Sequence, residues 1–495
     1  MTDSKTDLAG ESLPGADRLR FEQRRGSERA VGIGIDFGTT NSAAAIFDGE
    51  RVTVVRLEDD ADIMPSASYI DTDFTVSTGD RAIRDYIEAN RGRRVEFRAE
   101  VLGEGRLSTG QVDAGTGLPG AAETQTIYGR ELDDAGLPGR LFHGIKRLLG
   151  GRDSERVVIF RKPFRLVALI TPILVRIRES IEALLGSGPV QHACIGFPVR
   201  FEGSDPASDA RAIDRLSEAY RHAGITEQTF CPEPIAAAIS WFHSNPPADD
   251  TRALAVDFGG GTLDLCVIRY RDGGLEVEAV NGIALGGNRI DQAIFRELLF
   301  PLLGRGQRWR RTVEGREIET EFPFWIYEER LLNWQVTYTL NQNRYTTPLL
   351  DQLRHDGEPG EQAFQRLYHL IAQNYGYETF RSIRALKEAL SSALAGRLDV
   401  PEIDVDVDLD RAGFERMIAA EIARFEAVLD ETLDGAGLTS ADIDAVLRTG
   451  GSLLIPAFAD VLERRFPSRL VDQDPFTSVA AGLAIADYYG FGRPR

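Results

Sequence analysis

The chain has 495 residues, of which 42% are hydrophobic and 27% are charged. This length and composition fit a folded globular protein with two or more subdomains. The formal net charge of -20 argues against nucleic acid or an anionic membrane as a partner, because binding to phosphate groups requires a basic surface.

The start of the chain and its cysteines indicate a cellular location. Residues 1–30 are polar and lack an apolar run, so they are predicted to be a disordered tail and not a signal peptide. No stretch is long and apolar enough for a membrane helix. Cys194, Cys231 and Cys266 lack metal-binding spacing and are predicted to be buried free thiols. Together these features predict a cytoplasmic protein.

A three-stranded unit is predicted twice along the chain. Residues 31–57 contain three β-prone runs separated by short turns, and residues 253–280 repeat this pattern. In each copy a glycine-rich turn follows the first run, with the sequences Ile35-Asp36-Phe37-Gly38-Thr39-Thr40-Asn41-Ser42 and Val256-Asp257-Phe258-Gly259-Gly260-Gly261-Thr262-Leu263. A unit used twice predicts a duplicated α/β domain with a ligand between its halves.

Further elements are predicted between and after these units. Apolar residues at helical spacing predict helices at 172–185, 208–223, 234–242 and 477–488. Residues 98–139 are rich in glycine and polar residues and are predicted to form a long surface loop. Residues 300–373 carry Trp309, Trp325 and Trp334 and are predicted to be a helical insertion. An aromatic cluster of this kind is more often core than a groove for a partner.

The repeated unit divides the chain into two lobes. The first lobe is predicted at residues 31–250, and the second lobe, which includes the insertion, at residues 251–471. Residues 472–495 are predicted to form a C-terminal helix that returns to the first lobe. We expect the ligand to bind in a cleft between the two lobes.

The two glycine-rich turns predict a phosphate site. Without Cβ atoms in the way, backbone N–H groups can point at a phosphate, and the hydroxyls of Thr39, Thr40 and Thr262 add donors. Asp36 and Asp257, at the strand ends, can hold a hydrated Mg²⁺ ion or orient a water molecule. Two such turns facing each other would bind a phosphate tail from both sides.

Other motifs narrow the class of site. A single Asp-Phe-Gly also occurs in protein kinases, but no His-Arg-Asp loop precedes it here and no phosphate loop of the Gly-x-x-x-x-Gly-Lys type occurs. Lysine occurs only at Lys5, Lys146, Lys162 and Lys387, whereas arginine supplies nearly all the basic charge. Because the chain otherwise uses arginine, a lysine indicates a site that needs a compact ammonium group.

Together these motifs resemble the actin-like ATPase superfamily and, within it, the heat-shock protein 70 (DnaK-type) family. Residues 35–42 are close to that family's opening signature, and residues 143–150 resemble the segment with its catalytic lysine. Residues 232–239 resemble its Glu-Pro-x-Ala-Ala-Ala stretch. Residues 285–291, 385–391 and 449–452 resemble the loop after the second phosphate turn and the two adenosine motifs.

The resemblance implies the actin-like ATPase fold, with duplicated ribonuclease H-like lobes and a cleft for ATP or ADP with Mg²⁺. It implies catalytic roles for Asp36, Lys146, Glu233, Asp257 and Thr262. Of these, Asp36 and Asp257 would contact Mg²⁺ through water. It implies nucleotide binding by Gly38, Thr39, Thr40, Asn41, Gly259, Gly260, Gly261, Gly286, Gly287, Arg384, Lys387, Glu388, Ser391, Gly450, Gly451, Ser452 and Leu454.

Several features depart from the family pattern. Glu388 stands where the adenine-stacking arginine is expected, and Leu454 replaces another arginine on the base side. Arg384 and Arg448 are candidates to compensate. No interdomain linker or peptide-binding domain is recognisable after the last predicted helix, which resembles the truncated YegD-like branch of the family.

The resemblance predicts a slow, Mg²⁺-dependent, chaperone-like ATPase. The alternative is a nucleotide-dependent interaction module with little turnover, whose insertion at 300–373 binds client or regulatory proteins. A sugar-type kinase and a filament-forming protein share the fold and stay open as alternatives. The kinase is disfavoured because no catalytic carboxylate is recognisable in the first lobe's substrate pocket.

Overall fold

The fold is described from a computed structural model. It describes residues 19–20, 29–95, 97–107, 123–134, 136–151, 156–186, 188–199, 201, 207–246, 248–272, 274–313, 316–354, 360–474, 476–491 and 493–494. Within these ranges, no helix combines the length and the apolar character needed to cross a membrane. Most of the predicted tail at 1–30 lies outside them, but Leu19–Arg20 forms a short strand, where a disordered segment was expected.

Two sheets built on one plan form the centre of the fold. In spatial order, the shared strands of the first sheet are Glu227–Pro232, His192–Phe197, Gly32–Phe37, Asn41–Phe47 and Val52–Val54. The corresponding strands of the second sheet are Leu470–Asp472, Ala445–Thr449, Thr251–Phe258, Leu263–Arg271 and Gly274–Ile283. In both sheets the first three strands are parallel and the last two continue as an antiparallel meander. The repeated three-stranded unit is therefore confirmed.

Shorter strands extend or flank these sheets. Arg493–Pro494 and Met64–Pro65 add to the first sheet, and Leu19–Arg20 adds to the second. The smaller sheets consist of Ala67–Asp71, Val76–Thr78 and Gly139–His143; Arg156–Ile159 and Lys162–Arg165; and Ala395–Val400 and Val405–Asp410.

Helices cover the sheets on their outer faces and also lie between them. The α-helices are Gly79–Asn90, Leu166–Leu185, Ser208–His222, Glu233–Ser244, Gly287–Ile294, Phe300–Leu302, Trp325–Leu331, Asn343–Gln352, Glu361–Ala372, Gly376–Ser392, Arg411–Met417, Ala419–Gly435, Pro456–Arg465 and Ser478–Tyr489. The four predicted helices are confirmed. One of them starts at Leu166, before its expected start at Pro172, because buried residues such as Leu169 and Ile170 continue its apolar face.

Two helices rich in small residues pack where the two sheets meet. Glu233–Ser244 and Ser478–Tyr489 share one hydrophobic cluster with strand residues of both sheets. A Cβ atom at Gly482 would overlap the backbone carbonyl of Ala236, so the two helix backbones are in direct contact. This close packing fixes the sheets relative to each other. Within the same cluster lie the three cysteines, which are buried free thiols as predicted: Cys194, Cys231 and Cys266.

The prediction of a surface loop at 98–139 is wrong for most of this range. Phe97–Leu107 pairs antiparallel with Glu123–Asp134, and Gly139–His143 is an edge strand beside Ala67–Asp71. The polar, glycine-rich composition concealed a strand signal, because apolar residues alternate through the start of the first of these strands. Residues 108–122 lie outside the described ranges.

The insertion predicted at 300–373 contains helices, but it begins with a hairpin. Arg308–Val313 pairs with Arg316–Glu321, and the helices Trp325–Leu331, Asn343–Gln352 and Glu361–Ala372 follow. In the second strand Ile318 and Thr320 alternate with charged residues, a pattern that favours strand pairing. Two of the three tryptophans are packed into the protein, whereas Trp325 is 74% exposed.

The insertion also contacts the half of the molecule built on the first sheet. Trp334 and Tyr338 pack against Tyr86 of helix Gly79–Asn90. Tyr86 Oη donates a hydrogen bond to the Gln335 carbonyl oxygen (2.8 Å), and Asn341 Nδ2 donates one to the Arg93 carbonyl oxygen (2.8 Å). We call this set of contacts the insertion bridge, because it connects the two halves beside the cleft.

Candidate functional site

The two glycine-rich turns face each other across a cleft. Each turn joins the first two strands of its three-stranded unit. A Cβ atom at Gly260 would lie 2.5 Å from Thr40 Oγ1, and one at Gly261 would lie 3.3 Å from Thr39 Cγ2. The threonines of the first turn therefore lie against the glycines of the second turn, and a side chain at Gly260 would collide with Thr40.

Two adjoining cavities occupy the cleft, and the structure brings the predicted site residues together around them. The first cavity is lined by Asp36, Gly38, Thr39, Thr40, Asn41, Lys146, Glu233, Asp257, Gly259, Gly260, Gly261, Thr262, Gly450 and Gly451. The second shares part of this wall and adds Gly287, Arg384, Lys387, Glu388, Ser391, Ser452 and Leu454.

Two residues named from the sequence lie outside the cavity walls. Gly286 packs behind the second turn, where a Cβ atom would overlap the backbone of Gly260. The neighbouring Gly287 N–H donates a hydrogen bond to the Gly259 carbonyl oxygen (3.0 Å), so this segment supports the turn. Arg448, a candidate for compensating the missing base-side arginine, pairs with Asp472 and lines neither cavity.

A buried ion pair lies in the first cavity. Lys146 is on the short 3₁₀ helix Ile145–Leu148, and Glu233 begins helix Glu233–Ser244. Lys146 Nζ donates a hydrogen bond to Glu233 Oε1 at 2.5 Å, and the lysine is 3% exposed. Burial alone would lower the pKa of Lys146, but the carboxylates of Glu233 and Asp36 outweigh burial and raise it. The ammonium group therefore stays charged.

Acidic side chains concentrate around this pair. Burial, followed by repulsion from Glu233, raises the pKa of Asp36 to about 8 and that of Asp257 to about 7. The same causes raise the pKa of Asp264 to about 7. Buried carboxylates that repel one another provide a site that a cation stabilises.

These residues fit a hydrated Mg²⁺ ion. Asp36 Oδ1 and Thr40 Oγ1 are buried in the cleft and have no hydrogen-bond partner among the described residues. In the same part of the chain, no three His, Cys, Asp or Glu side chains are close enough to enclose a metal ion on their own. Mg²⁺ commonly keeps several waters and is held by one or two carboxylates with phosphate oxygens, so such a donor set suits it.

The second cavity is bordered by one face of helix Gly376–Ser392. Arg384, Lys387, Glu388 and Ser391 follow the spacing of neighbouring helical turns and all line it. Lys387 Nζ donates a hydrogen bond to Asp291 Oδ1 at 2.6 Å, which fixes the position of the ammonium group. Ser452 also lines this cavity, and its Oγ donates a hydrogen bond to the Gly259 carbonyl oxygen (3.0 Å).

Sequence reasoning missed several residues in and around the cleft, including Asp264 and Phe476. Asp264 pairs with Asp257 in the antiparallel register, and the four-residue turn between their strands contained the signal for this pairing. Phe476 lines both cavities. No local signal marks it, because it comes more than 200 residues after the second turn and reaches the cleft only through the packing of the helix that follows it.

Comparison with known proteins identifies the class. The family model described as "Hsp70 protein" matches residues 145–301 and 382–487, which are together more than half of the chain. The chain belongs to the Hsp70 family, as its motifs predicted, and its fold is therefore the actin-like ATPase fold. The interval between the two matched segments contains the insertion.

Curated relatives give the same assignment. Two proteins named "Chaperone protein DnaK", from two strains of Thermus thermophilus, are each 25% identical to this chain over 470 residues. The alignments cover 92% of this chain and 60% of each relative, so the chain spans about 60% of the length of these relatives. The YegD-like branch, the lobe boundaries and the roles of the site residues stay predictions.

Proposed function

We propose that the protein is an Mg²⁺-dependent, chaperone-like ATPase that binds ATP and ADP between its two halves. The observation that carries this proposal is the pair of facing glycine-rich turns beside the buried Lys146–Glu233 pair. Backbone N–H groups, threonine hydroxyls and a buried ammonium group form a set of donors suited to a polyphosphate. The Hsp70 family membership supports the same activity.

The residues of the cleft suggest how hydrolysis would proceed. N–H groups of the two turns bind the phosphate chain, and Lys146 offsets the charge that develops on the transferred γ-phosphoryl group. Asp36 and Asp257 would hold Mg²⁺ through water, and the ion would neutralise phosphate charge. Glu233 orients the attacking water. We expect slow turnover, because the described residues that line the cleft include no evident strong general base.

Replacement of Lys146 tests the catalytic assignment. Lys146→Ala should lower the rate of phosphate release by about 100-fold, the usual effect of removing one group that stabilises the transition-state charge. Lys162→Ala is the matched control, because Lys162 is one of the few other lysines and lies over the Phe74 ring away from the cleft. Phosphate release is measured on variants shown by circular dichroism to be folded. Unchanged turnover in Lys146→Ala would contradict the assignment.

A second candidate is a nucleotide-dependent interaction module that turns over little or no ATP. Trp325 favours it, because this large aromatic side chain is 74% exposed on the insertion, which the matched family segments do not include. Client or regulatory proteins would bind there in one nucleotide state. Calorimetry with ATP followed by a phosphate-release assay separates the two functions: tight binding without release supports the module.

The proposed setting follows from composition. The net charge of -20 argues against nucleic acid or anionic membranes as partners. The three buried free thiols support a reducing, cytoplasmic location.

A further inference from the structure

Two apolar side chains are exposed at the second cavity. Phe476 is 45% exposed and Leu454 is 55% exposed, and both line this cavity. Phe476 also lines the first cavity, so its ring lies where the two cavities join. Exposing large apolar side chains costs free energy. Their convergence on one cavity indicates an apolar surface for a ligand.

The position of Phe476 is held by its neighbours. Asp474 Oδ1 accepts hydrogen bonds from the backbone N–H groups of Phe476 (3.0 Å) and Thr477 (2.8 Å), directly before helix Ser478–Tyr489. The ring also lies against the Gly450-Gly451 turn, since a Cβ atom at Gly451 would come within 3.1 Å of Phe476 Cζ. The aromatic ring therefore stands on a fixed backbone next to the phosphate turns.

Other residues that line this cavity are polar. Glu388 and Ser391 line it from helix Gly376–Ser392, and Lys387 is held there by Asp291. A cavity lined by an aromatic ring, an aliphatic side chain and hydrogen-bonding groups suits a planar, heteroaromatic group. Such a group stacks through its faces and forms hydrogen bonds through its edge.

We propose that Phe476, with Leu454 beside it, is the specificity-determining residue on which the purine base of the nucleotide stacks. This inference rests on the proposed ATP function, since the phosphate chain must lie between the turns for the base to reach the second cavity. Asp474 acts as the positioning residue for the ring.

The test compares ligands with and without a base. Binding of Mg²⁺-ATP and of Mg²⁺-tripolyphosphate, which has the phosphates but no base, is measured by calorimetry for the full chain. Loss of base stacking in Phe476→Ala should weaken ATP binding by roughly 10- to 100-fold and leave tripolyphosphate binding unchanged. Phe476→Trp should keep the affinity for ATP. Trp325→Ala, which removes an exposed aromatic ring elsewhere, should match the wild type.

The possible results separate this inference from the proposed function. If the wild type binds ATP and Phe476→Ala binds it equally well, the stacking role is overturned and the ATP function stands. Equal weakening of ATP and tripolyphosphate would also overturn the stacking role, because it would indicate a general disturbance of the cleft. If the wild type binds neither ligand, both proposals fail.

Discussion

Single buried charges determine the properties of the cleft. Lys146 and Glu233 form an ion pair in the first cavity, and burial next to Glu233 raises the pKa values of Asp36, Asp257 and Asp264 around them. Removing one member leaves its partner charged and buried, which is strongly destabilising. Substitutions here must therefore be judged by both activity and folding.

His143 leads to a pH-dependent prediction. Gln335 Nε2 lies 3.1 Å from His143 Nδ1 and can donate to it only while the ring is neutral. Burial, with the nearby Arg384 guanidinium, lowers the pKa of His143 to about 4. An unfolded histidine takes up a proton near pH 6.5. Between pH 6.5 and 4 the unfolded state therefore binds more protons, so this contribution to stability falls as the pH falls.

Urea unfolding at several pH values measures this effect. The free energy of unfolding of the wild type should fall, between pH 7 and pH 5, by on the order of 1 kcal/mol more than that of His143→Asn. The carboxylates that titrate in the same range are present in both proteins, so comparison with this variant cancels their contribution. Identical pH dependence in the two proteins would contradict the role assigned to His143.

At the scale of elements, the insertion bridge connects the two halves beside the cleft. The Trp334 ring lies 5.8 Å from the Tyr86 ring and 6.1 Å from the His143 ring, measured between centroids. If the cleft opens to release a nucleotide, as the proposed function requires, these rings separate. We therefore expect the bridge to stabilise the closed arrangement.

Nucleotide release tests the bridge. Trp334→Ala should accelerate release of ADP by roughly tenfold, which corresponds to a loss of about 1.4 kcal/mol from the closed arrangement. Stopped-flow fluorescence with a labelled ADP measures this rate. Trp325→Ala is the matched control, because Trp325 belongs to the same insertion but is exposed. Equal release rates in Trp334→Ala and the wild type would show that the bridge does not restrain opening.

Elements with a local signal could be predicted from the sequence. The three-stranded units and the helix at Ser478–Tyr489 could be predicted from the spacing of apolar residues and from turn residues within a short stretch of sequence. The strands at Phe97–Leu107 and Glu123–Asp134 were missed, because their pairing partners are separated by a long glycine-rich segment. Composition dominated the prediction there, although Phe97, Ala99 and Val101 alternate with other residues in the sequence.

At the scale of the whole molecule, the site depends on packing that no short window contains. The turn residues Thr40 and Gly260 were recognisable individually, but their contact requires the two sheets to be held by helices Glu233–Ser244 and Ser478–Tyr489. The family motifs identified site residues that the local sequence pattern could not, including Lys146 and Glu233. Phe476 carried neither kind of signal, so only the structure reveals it.

The central claim is that a nucleotide binds between the two facing turns. Titration calorimetry with Mg²⁺-ATP on the wild type, Gly260→Val and Gly435→Val tests it most directly. Gly260 faces Thr40 across the cleft, whereas a Cβ atom at Gly435 meets nothing within 4 Å. We expect one ATP per chain for the wild type and Gly435→Val, and loss of most of the affinity in Gly260→Val. Equal affinity in all three proteins, or no binding to the wild type, would contradict the claim.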